Sequence, residues 1–212
     1  MPEMIDITVP YTVDLPLWPG DPKPRMDFIK CISNGSRCNV SRIEAGVHFG
    51  THLDAPCHFI EGGKSVDELD LAVLVGECIL IEVSDVQAIT TQHLQNAAIP
   101  PGTERLLIKT KNSQLWANPK HKFKRDFAAI TPDAAKWIVE NKIKLIGIDY
   151  LSVQLFNDRV STTHLVLLKA ETVIVEALDL RLPAPGKYKI TCLPLKLVGA
   201  DGAPVRAFLE TI

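Results

Sequence analysis

The chain has 212 residues, a formal net charge of −2 at pH 7, 46% hydrophobic residues and 23% charged residues. This composition is typical of a globular protein and excludes an intrinsically disordered chain or a strongly basic nucleic-acid-binding protein. A chain of this length can bury one apolar core, so we predict a single domain over residues 1–212.

The cysteines and the hydropathy pattern indicate a compartment. The five cysteines are odd in number and no pair has C-x-x-C spacing, which is typical of reduced thiols. The chain shows neither the pattern of a secretory signal peptide nor an apolar run long enough to span a bilayer. We therefore expect a cytoplasmic protein that acts on a small molecule and binds neither nucleic acid nor a membrane.

Short apolar runs rich in β-branched residues alternate with fewer helical segments. The runs predict strands, in chain order, at residues 5–9, 77–83, 105–110, 143–149, 172–178 and 188–195. Helix start signals stand at Thr90 or Thr91 before QHLQNAA and at Thr131-Pro132 before AAKWIVEN, and a third helix is predicted over residues 161–170. Because strands outnumber helices and their order is irregular, the fold class is predicted as mixed α/β, or α+β.

Three of the six histidines lie in the segment AGVHFGTHLDAPCHF, residues 45–59. In an extended chain alternate side chains share a face, which places His48, His52, Asp54 and His58 together on one side. The opposite side is almost wholly apolar and suits a protein core. The pattern therefore predicts a strand-like segment with one chemically active face.

The spacing of His48 and His52 allows two backbone conformations. A helix would also bring these residues together, but no glutamate follows His48 as in zinc-protease helices, and Gly50 and Pro56 both oppose a helix. In a straight strand their Cα atoms would be roughly 13 Å apart, which is awkward for two ligands of one ion. We therefore predict a bend or bulge at Gly50, because glycine permits such backbone geometry.

Imidazoles and a carboxylate on one face are typical ligands of zinc, manganese or iron. Three protein ligands leave coordination positions open for water and substrate, which is the arrangement of a catalytic site. The alternative is a strand whose histidines are exposed or satisfied by hydrogen bonds. Parity places Cys57 on the opposite face, so we interpret it as a packed thiol and not as a nucleophile.

The string HFGTHLDAPCHF, residues 48–59, resembles the signature of the cyclase family, which includes bacterial kynurenine formamidases and isatin hydrolases. The likeness continues from end to end of the chain, at residues 18–22, 106–110, 147–149, 193–196 and 201–207. It implies a single-domain, swivelling β/β/α-type architecture and a homodimer or homotetramer.

The resemblance also implies a role for each site residue. His48, His52 and Asp54 correspond to the ligands of a first divalent ion, Zn²⁺ or alternatively Mn²⁺, and Asp54 would bridge to a second ion held by His164 and Glu176. One or two ions per chain are therefore expected. Glu176 lies in an apolar run, where a cation would remove the cost of a buried carboxylate. Solvent-facing positions are the alternatives for Glu176 and His164.

Two further residues have implied roles beside the metal. His58 resembles the acid/base histidine of the family and lies beyond the ligands on the same face, where it would move protons at a metal-activated water. A fourth metal ligand is its competing role. Trp18, in a proline-rich loop, is either a packing residue or an aromatic wall of the substrate pocket, and the resemblance favours the pocket.

The expected reaction is metal-dependent hydrolysis of the amide C–N bond of a small aryl formamide such as N-formylkynurenine, a step of tryptophan catabolism. Val153-Gln154 and Glu171 depart from the formamidase pattern, so isatin or another cyclic amide or lactone is the alternative substrate. A metal-binding protein without catalysis is a third hypothesis. The sequence assigns no role to Glu171 or to residues 150–163.

Overall fold

The computed structural model describes residues 2–118 and 120–212. Its strands are β1 (Met4–Asp6), β2 (Arg25–Lys30), β3 (Val40–Glu44), β4 (His52–Asp54), β5 (Val75–Val83), β6 (Ala88–Ile89), β7 (Arg105–Thr110), β8 (Ala129–Ile130), β9 (Leu145–Ile148), β10 (Val173–Glu176), β11 (Gly186–Pro194) and β12 (Gly202–Thr211). Its α-helices are α1 (Leu71–Leu74), α2 (Thr91–Asn96), α3 (Pro132–Glu140) and α4 (Thr162–Lys169). The predicted mixed α/β class is confirmed.

Most of the strands belong to one closed sheet. Eight of them are joined in the order β1-β12-β11-β5-β7-β9-β10-β4. Strand β4 also pairs with β12, so seven strands close into a ring and β1 lies outside it against β12. The neighbours β5, β7, β9 and β10 are parallel, and the other pairs are antiparallel. Closure pairs backbone groups that an open sheet would leave at its edges.

Alternation along the ring strands separates two apolar layers. All seven strands contribute side chains to one buried cluster, which includes Leu53, Leu107 and Val175 and fills the interior of the ring. Side chains of the opposite parity, such as Ile108 and Ile174, pack outside the ring against α2, α3 and α4. The parallel strands β7, β9 and β10 are therefore buried on both faces, as is usual for parallel strands covered by helices.

The predicted helix starts agree with the structure. Thr131 precedes α3, which begins at Pro132, and Thr90 precedes α2, where its backbone N–H donates to His93 Nδ1 at 3.0 Å. Helix α4 begins directly after Ser161. Across residues 2–118 and 120–212, none of the helices has the length and apolar character needed to cross a membrane.

The predicted elements omit the longest strand, β12, and the hairpin formed by β2 and β3. In β12, Pro204 opposes a strand assignment, although Ala203, Val205, Ala207 and Leu209 are buried in strict alternation. Within the described parts of the chain, the hairpin strands pair only with each other, and their large apolar side chains are mostly exposed. The hairpin therefore lacks the alternation of buried and exposed side chains that identifies a core strand.

Candidate functional site

The histidine-rich segment is less extended than predicted. Strand β4 covers only His52–Asp54, and a single 3-10 turn, Pro56–His58, follows it. Gly50 has φ +72°, a left-handed conformation that favours glycine, and the chain turns there. The turn brings the rings of His48 and His52 to a centroid distance of 5.1 Å. The predicted bend at Gly50 is confirmed.

Strand pairing brings Glu176 to the same place. In the register of β10 and β4, Glu176 lies opposite His52, and Val175 lies opposite Leu53. Because Leu53 and Val175 point into the ring, His52 and Glu176 point out of it. Helix α4 packs against β10 and the 56–58 turn, and it supplies His164 to this outer surface.

Five side chains meet at this surface, with Asp54 at their centre. Asp54 Oδ1 lies 2.8 Å from His48 Nδ1 and 3.5 Å from His52 Nε2. Glu176 Oε2 lies 3.5 Å from His52 Nε2, and its Oε1 lies 3.3 Å from His164 Nε2. His164 Nε2 is also 3.7 Å from Asp54 Oδ2. The structure therefore brings together all five residues predicted as metal ligands.

The centre of this cluster is nearly closed to solvent. His52, Asp54, Glu176 and His164 are between 1% and 6% exposed. Asp54 Oδ2 is buried and has no hydrogen-bond partner among residues 2–118 and 120–212. A buried carboxylate oxygen without a donor is costly, and a cation beside it would remove that cost.

Hydrogen bonds outside the cluster fix the tautomers of two histidines. The Gly50 carbonyl can only accept, so His52 Nδ1–H donates to it at 2.8 Å, and Nε2, which faces the carboxylates, is the nitrogen that loses its proton when the ring becomes neutral. Gln154 Nε2 donates to the Asp158 carbonyl at 2.8 Å, which turns Gln154 Oε1 towards His164 Nδ1 at 3.1 Å. His164 Nε2 therefore also faces the cluster unprotonated when the ring is neutral. Metal-ligating histidines are commonly held in this way.

The donor set suits a divalent cation. Each member of the group His48, Asp54 and His58 offers one ligand atom, and these atoms lie within 4.8 Å of one another. The group His52, Asp54 and Glu176 meets the same condition. Imidazole nitrogens with carboxylate oxygens accept both Zn²⁺ and Mn²⁺, so the residues fit one or two such ions that share Asp54.

The electrostatics of the cluster favour bound positive charge. Burial opposes the charged form of His52, but Asp54 and Glu176 outweigh it and raise the pKa of His52 to about 10. Burial likewise opposes the charged form of Asp54, yet His48 and His52 hold its pKa well below the usual range. Burial and the charge of Asp54 act to raise the pKa of Glu176, but its contacts with His164 and His52 outweigh them and lower it. Both carboxylates therefore stay ionised, and either protons on the imidazoles or a cation must balance them.

His58 lies beside the cluster, next to a carboxylate that the sequence analysis does not assign. Asp201 Oδ2 is 3.1 Å from His58 Nδ1 and 2.8 Å from His48 Nε2. The rings of His48 and His58 are 3.9 Å apart. Burial lowers the pKa of His58 below its ordinary value, although Asp54 acts in the opposite direction. His58 is therefore neutral at neutral pH and able to accept a proton.

A cavity of about 270 Å³ opens onto the cluster. Besides the histidines and Glu176, its lining residues are Trp18, Asp21, Phe59, Leu151, Ser152, Gln154 and Ser161. Trp18 is therefore a cavity residue, and it also packs edge-on against Phe123 at a centroid distance of 5.3 Å. Trp18 therefore both packs against another aromatic side chain and lines the cavity.

Residues 150–163 now have a structural account. The backbone N–H of Val153 donates to Glu176 Oε1 at 2.6 Å, and Gln154 orients His164, so this segment supports the cluster from one side. Glu171 has φ +57°, which explains why its turn suits glycine, and it pairs with Lys64 at 2.6 Å on the surface. Glu171 is not among the cavity-lining residues.

Sequence reasoning missed Asp201 and the orienting role of Gln154. Asp201 is 143 residues from His58 along the chain, and the resemblance over residues 201–207 was its one signal. Gln154 is recognised only as a departure from the formamidase pattern. The tautomer it fixes depends on a hydrogen bond to Asp158 that no spacing rule predicts.

Comparison with known proteins gives consistent matches. The profile of the family described as "Putative cyclase" matches residues 5–154. The chain is 41% identical to "Cyclase-like protein 1" of Arabidopsis thaliana over 98% of its own length and 84% of that protein. It is 35% identical to "Kynurenine formamidase" of Bacillus mycoides (strain KBAB4), over 99% and 98% of the two chains.

A solved structure agrees over the same extent. It is described as "predicted metal-dependent hydrolase from Bacillus stearothermophilus", and it superposes with a TM-score of 0.85 at 33% identity, covering 99% of this chain and 98% of that one. The matched family region contains the histidine-rich segment and the Gln154 position, and the two relatives span nearly the whole chain. This chain therefore belongs to the cyclase family.

Proposed function

We propose that this cyclase-family metal-dependent hydrolase cleaves the C–N bond of a small aryl formamide, with N-formylkynurenine as the leading substrate. The observation that carries the proposal is Asp54, whose buried Oδ2 has no hydrogen-bond partner among the described residues. It lies in the centre of four neighbouring imidazole and carboxylate side chains, beside a cavity with an aromatic wall. In this role the reaction belongs to tryptophan catabolism and releases formate and an aryl amine.

The metal assignment follows the family resemblance. His48, His52 and Asp54 would hold a first ion, and Asp54, His164 and Glu176 would hold a second. Distance alone divides the ligands differently, because it groups His58 with His48 and Asp54, and His52 with Asp54 and Glu176. Zn²⁺ is the leading candidate and Mn²⁺ the alternative. A bound divalent cation would polarise the substrate carbonyl and lower the pKa of water.

His58 is proposed as the general acid/base. Its Nδ1 is bonded to Asp201, and Nε2 has no hydrogen-bond partner in the described part of the chain. Nε2 would accept a proton from water as the water oxygen bonds to the carbonyl carbon. As the C–N bond breaks, the same nitrogen would return that proton to the departing amine. The lowered pKa of His58 keeps this nitrogen unprotonated before the reaction.

The volume and the aromatic lining of the cavity suit a small aryl substrate. About 270 Å³ is slightly below the range typical of ligand pockets, so the cavity suits one small molecule. Trp18 and Phe59 offer aromatic surfaces for an aryl group.

One observation favours a second substrate class. Among the described residues, no Lys or Arg lines the cavity, so the α-carboxylate of N-formylkynurenine lacks a cationic side chain to pair with it there. Isatin, or another cyclic amide or lactone without a carboxylate, has no such group to leave unpaired in the cavity. A metal-binding protein without catalysis is the remaining alternative, and the open cavity beside His58 argues against it.

A substrate panel separates these possibilities. Protein purified without chelators is assayed with N-formylkynurenine, formanilide and isatin, before and after chelation and metal restoration. Chelation-sensitive hydrolysis of the first two supports the formamidase proposal, and turnover of isatin alone selects the second class. Bound metal with no turnover of any of the three supports the non-catalytic alternative.

The cysteines support a cytoplasmic location for the protein. The cysteines Cys31, Cys38, Cys57, Cys78 and Cys192 are all free, which suits the reducing cytoplasm.

One face of the β2–β3 hairpin exposes Met26, Phe28 and Ile43, and a two-stranded hairpin gains stability when such a face is covered. We place this face in the contact of a homodimer or homotetramer.

Light scattering tests the oligomer. Phe28→Glu should reduce the molar mass towards that of one chain, because it puts a charge into the apolar contact. Lys30→Glu in the same strand is the control and should leave the mass unchanged. A monomeric unaltered protein would contradict the proposal.

A further inference from the structure

One oxygen of Asp201 serves two imidazoles. Its Oδ2 lies 3.1 Å from His58 Nδ1 and 2.8 Å from His48 Nε2, and the two rings are tilted by 31°. When it is ionised, Asp201 can only accept, so each of these ring nitrogens must donate a proton to it. His58 Nε2 is then unprotonated in the neutral ring, whereas His48 also faces the ionised Asp54 through Nδ1 at 2.8 Å.

The backbone fixes Asp201 in this position. Its carbonyl accepts the N–H of Ala55 at 2.9 Å, which ties the turn before β12 to the end of β4. Gly202 follows, and a Cβ there would stand 2.6 Å from His48 Cε1 and 2.8 Å from the Leu53 carbonyl. The chain can therefore approach the histidines closely only because residue 202 is glycine.

The Asp201 side chain has little to do with folding. It is 46% exposed, so its contacts with the histidines are partly screened by solvent and contribute little to stability. His58, by contrast, can turn only one of its two ring nitrogens towards a substrate, so it matters which nitrogen carries the proton. We therefore look for the function of the Asp201 carboxylate in the selection of that tautomer.

We propose that Asp201 is a positioning residue for His58. By accepting from Nδ1–H it selects the tautomer with a free lone pair on Nε2 and holds the ring towards the cavity, in the manner of the carboxylate in a catalytic triad. Asp201 itself touches no reacting atom. This inference rests on the proposed acid/base function of His58.

The first test reads the tautomer directly and needs no turnover. In the zinc-loaded protein, long-range ¹H–¹⁵N spectra of the six histidine rings are recorded, and His58→Gln identifies the His58 signals. The unaltered protein should show His58 protonated on Nδ1. Asp201→Asn, whose amide can donate to the ring, should shift His58 towards protonation on Nε2. Asp6→Asn, which removes an exposed carboxylate paired with Arg206 in β12, should leave the His58 signals unchanged.

The second test asks whether Asp201 acts through His58. At saturating metal, Asp201→Asn should lower kcat roughly 10- to 100-fold with little change in KM, as for other orienting partners. In a His58→Ala background the same substitution should cause no further loss, because the group it positions is already absent. Metal affinity is measured in parallel, since Asp201 also contacts His48.

The outcomes separate this inference from the proposed function. His58 protonated on Nε2 in the unaltered protein, or a tautomer unaffected by Asp201→Asn, overturns the positioning role even if the protein hydrolyses its substrate. Equal losses in both backgrounds at saturating metal also overturn it and assign Asp201 to His48 or the fold. If no substrate in the panel is hydrolysed, the proposed function fails, and the tautomer measurement still decides the role of Asp201.

Discussion

Two aspartates of this protein are buried to the same degree and have opposite surroundings. Asp149 accepts from the backbone and hydroxyl groups of Thr110 at 2.6 and 2.8 Å and of Ser113 at 3.0 and 2.7 Å, and from Asn112 at 3.3 Å. Asp54 instead faces imidazoles and leaves Oδ2 without a partner in the described chain. The first carboxylate is satisfied by the fold, whereas the second is left for a ligand.

The pKa shifts of these two groups follow the same division. Burial raises the pKa of Asp149, and its hydrogen bonds with Ser113 and Thr110 oppose that effect only in part. Burial also acts to raise the pKa of Asp54, but the charges and hydrogen bonds of His48 and His52 lower it well below the usual range. Burial alone therefore does not identify a functional carboxylate, and the chemistry of its neighbours does.

Asp54→Asn tests the functional side of this comparison with the largest expected effect. It removes the charge shared by both proposed ions, and hydrolysis should fall by at least roughly a thousandfold because several kcal/mol of transition-state stabilisation are lost. The metal-free variant should also unfold at a lower temperature than the metal-free parent, because the charge of Asp54 balances His48 and His52 in the absence of an ion. A variant with normal turnover would refute the central position of Asp54.

His58→Ala separates proton transfer from metal binding. Turnover should fall by roughly two to four powers of ten, while the metal content stays near that of the unaltered protein. Elemental analysis alongside steady-state kinetics provides the measurement. Loss of the ion would instead mean that His58 is a ligand, the role that its group with His48 and Asp54 also permits.

Asp149→Asn tests the structural side. The new amide would leave buried donors of Thr110 and Ser113 unpaired, which should cost roughly 3 kcal/mol of unfolding free energy. Urea unfolding of the metal-free protein measures the loss, and metal content at low denaturant should be unchanged. Loss of metal with unaltered stability would break the distinction between the two aspartates.

Gln154→Ala addresses the orientation of the second ligand group. Without the Gln154 oxygen, the His164 ring is free to rotate and to change tautomer, and metal affinity should fall roughly 10- to 100-fold. Competition with a chromophoric chelator gives the affinity. Gln92→Ala, a glutamine bonded to Asn96 on the exposed surface of α2, is the matched control. Equal affinity in both variants would remove Gln154 from the support of the site.

The pH dependence of metal affinity is the smallest expected effect. The affinity should change about tenfold per pH unit for each proton that the bound ion displaces. The pKa of His52 is about 10 in the metal-free protein, above its ordinary value, so His52 is protonated at pH 7 and a cation must displace that proton. Affinity for Zn²⁺ should therefore rise from pH 6 to pH 8. Calorimetry in buffers of different ionisation enthalpy counts the protons, and a count of zero would contradict the charge assignment.

Local rules predict the ligand-bearing segment well. Alternation places His52 and Asp54 on the face opposite Leu53, and the conformational freedom of Gly50 predicts the bend, because both depend on neighbouring residues only. The strand itself is shorter than expected, because the turn at residues 47–51 and the 3-10 turn at Pro56–His58 end the extended conformation. The alternating pattern of residues 45–59 is therefore longer than β4, the strand that forms within it.

The remaining parts of the site depend on contacts that the sequence does not encode locally. Glu176 reaches the cluster through the register of β10 with β4, and Asp201 reaches it through the pairing of β12 with β4. Strand β12 is not among the predicted strands. Family resemblance supplies Glu176 and His164, but neither resemblance nor spacing identifies Asp201 as the partner of His58.

Metal content per chain tests the central claim most directly. The unaltered protein, Asp54→Asn and Asp149→Asn are purified without chelators, incubated with Zn²⁺ or Mn²⁺, freed of excess metal and analysed for bound ions. We predict one or two ions per chain in the unaltered protein and in Asp149→Asn, and a loss of bound metal in Asp54→Asn. Absence of bound metal in the unaltered protein, or equal metal in Asp54→Asn, would contradict the assignment of Asp54 as the centre of a metal site.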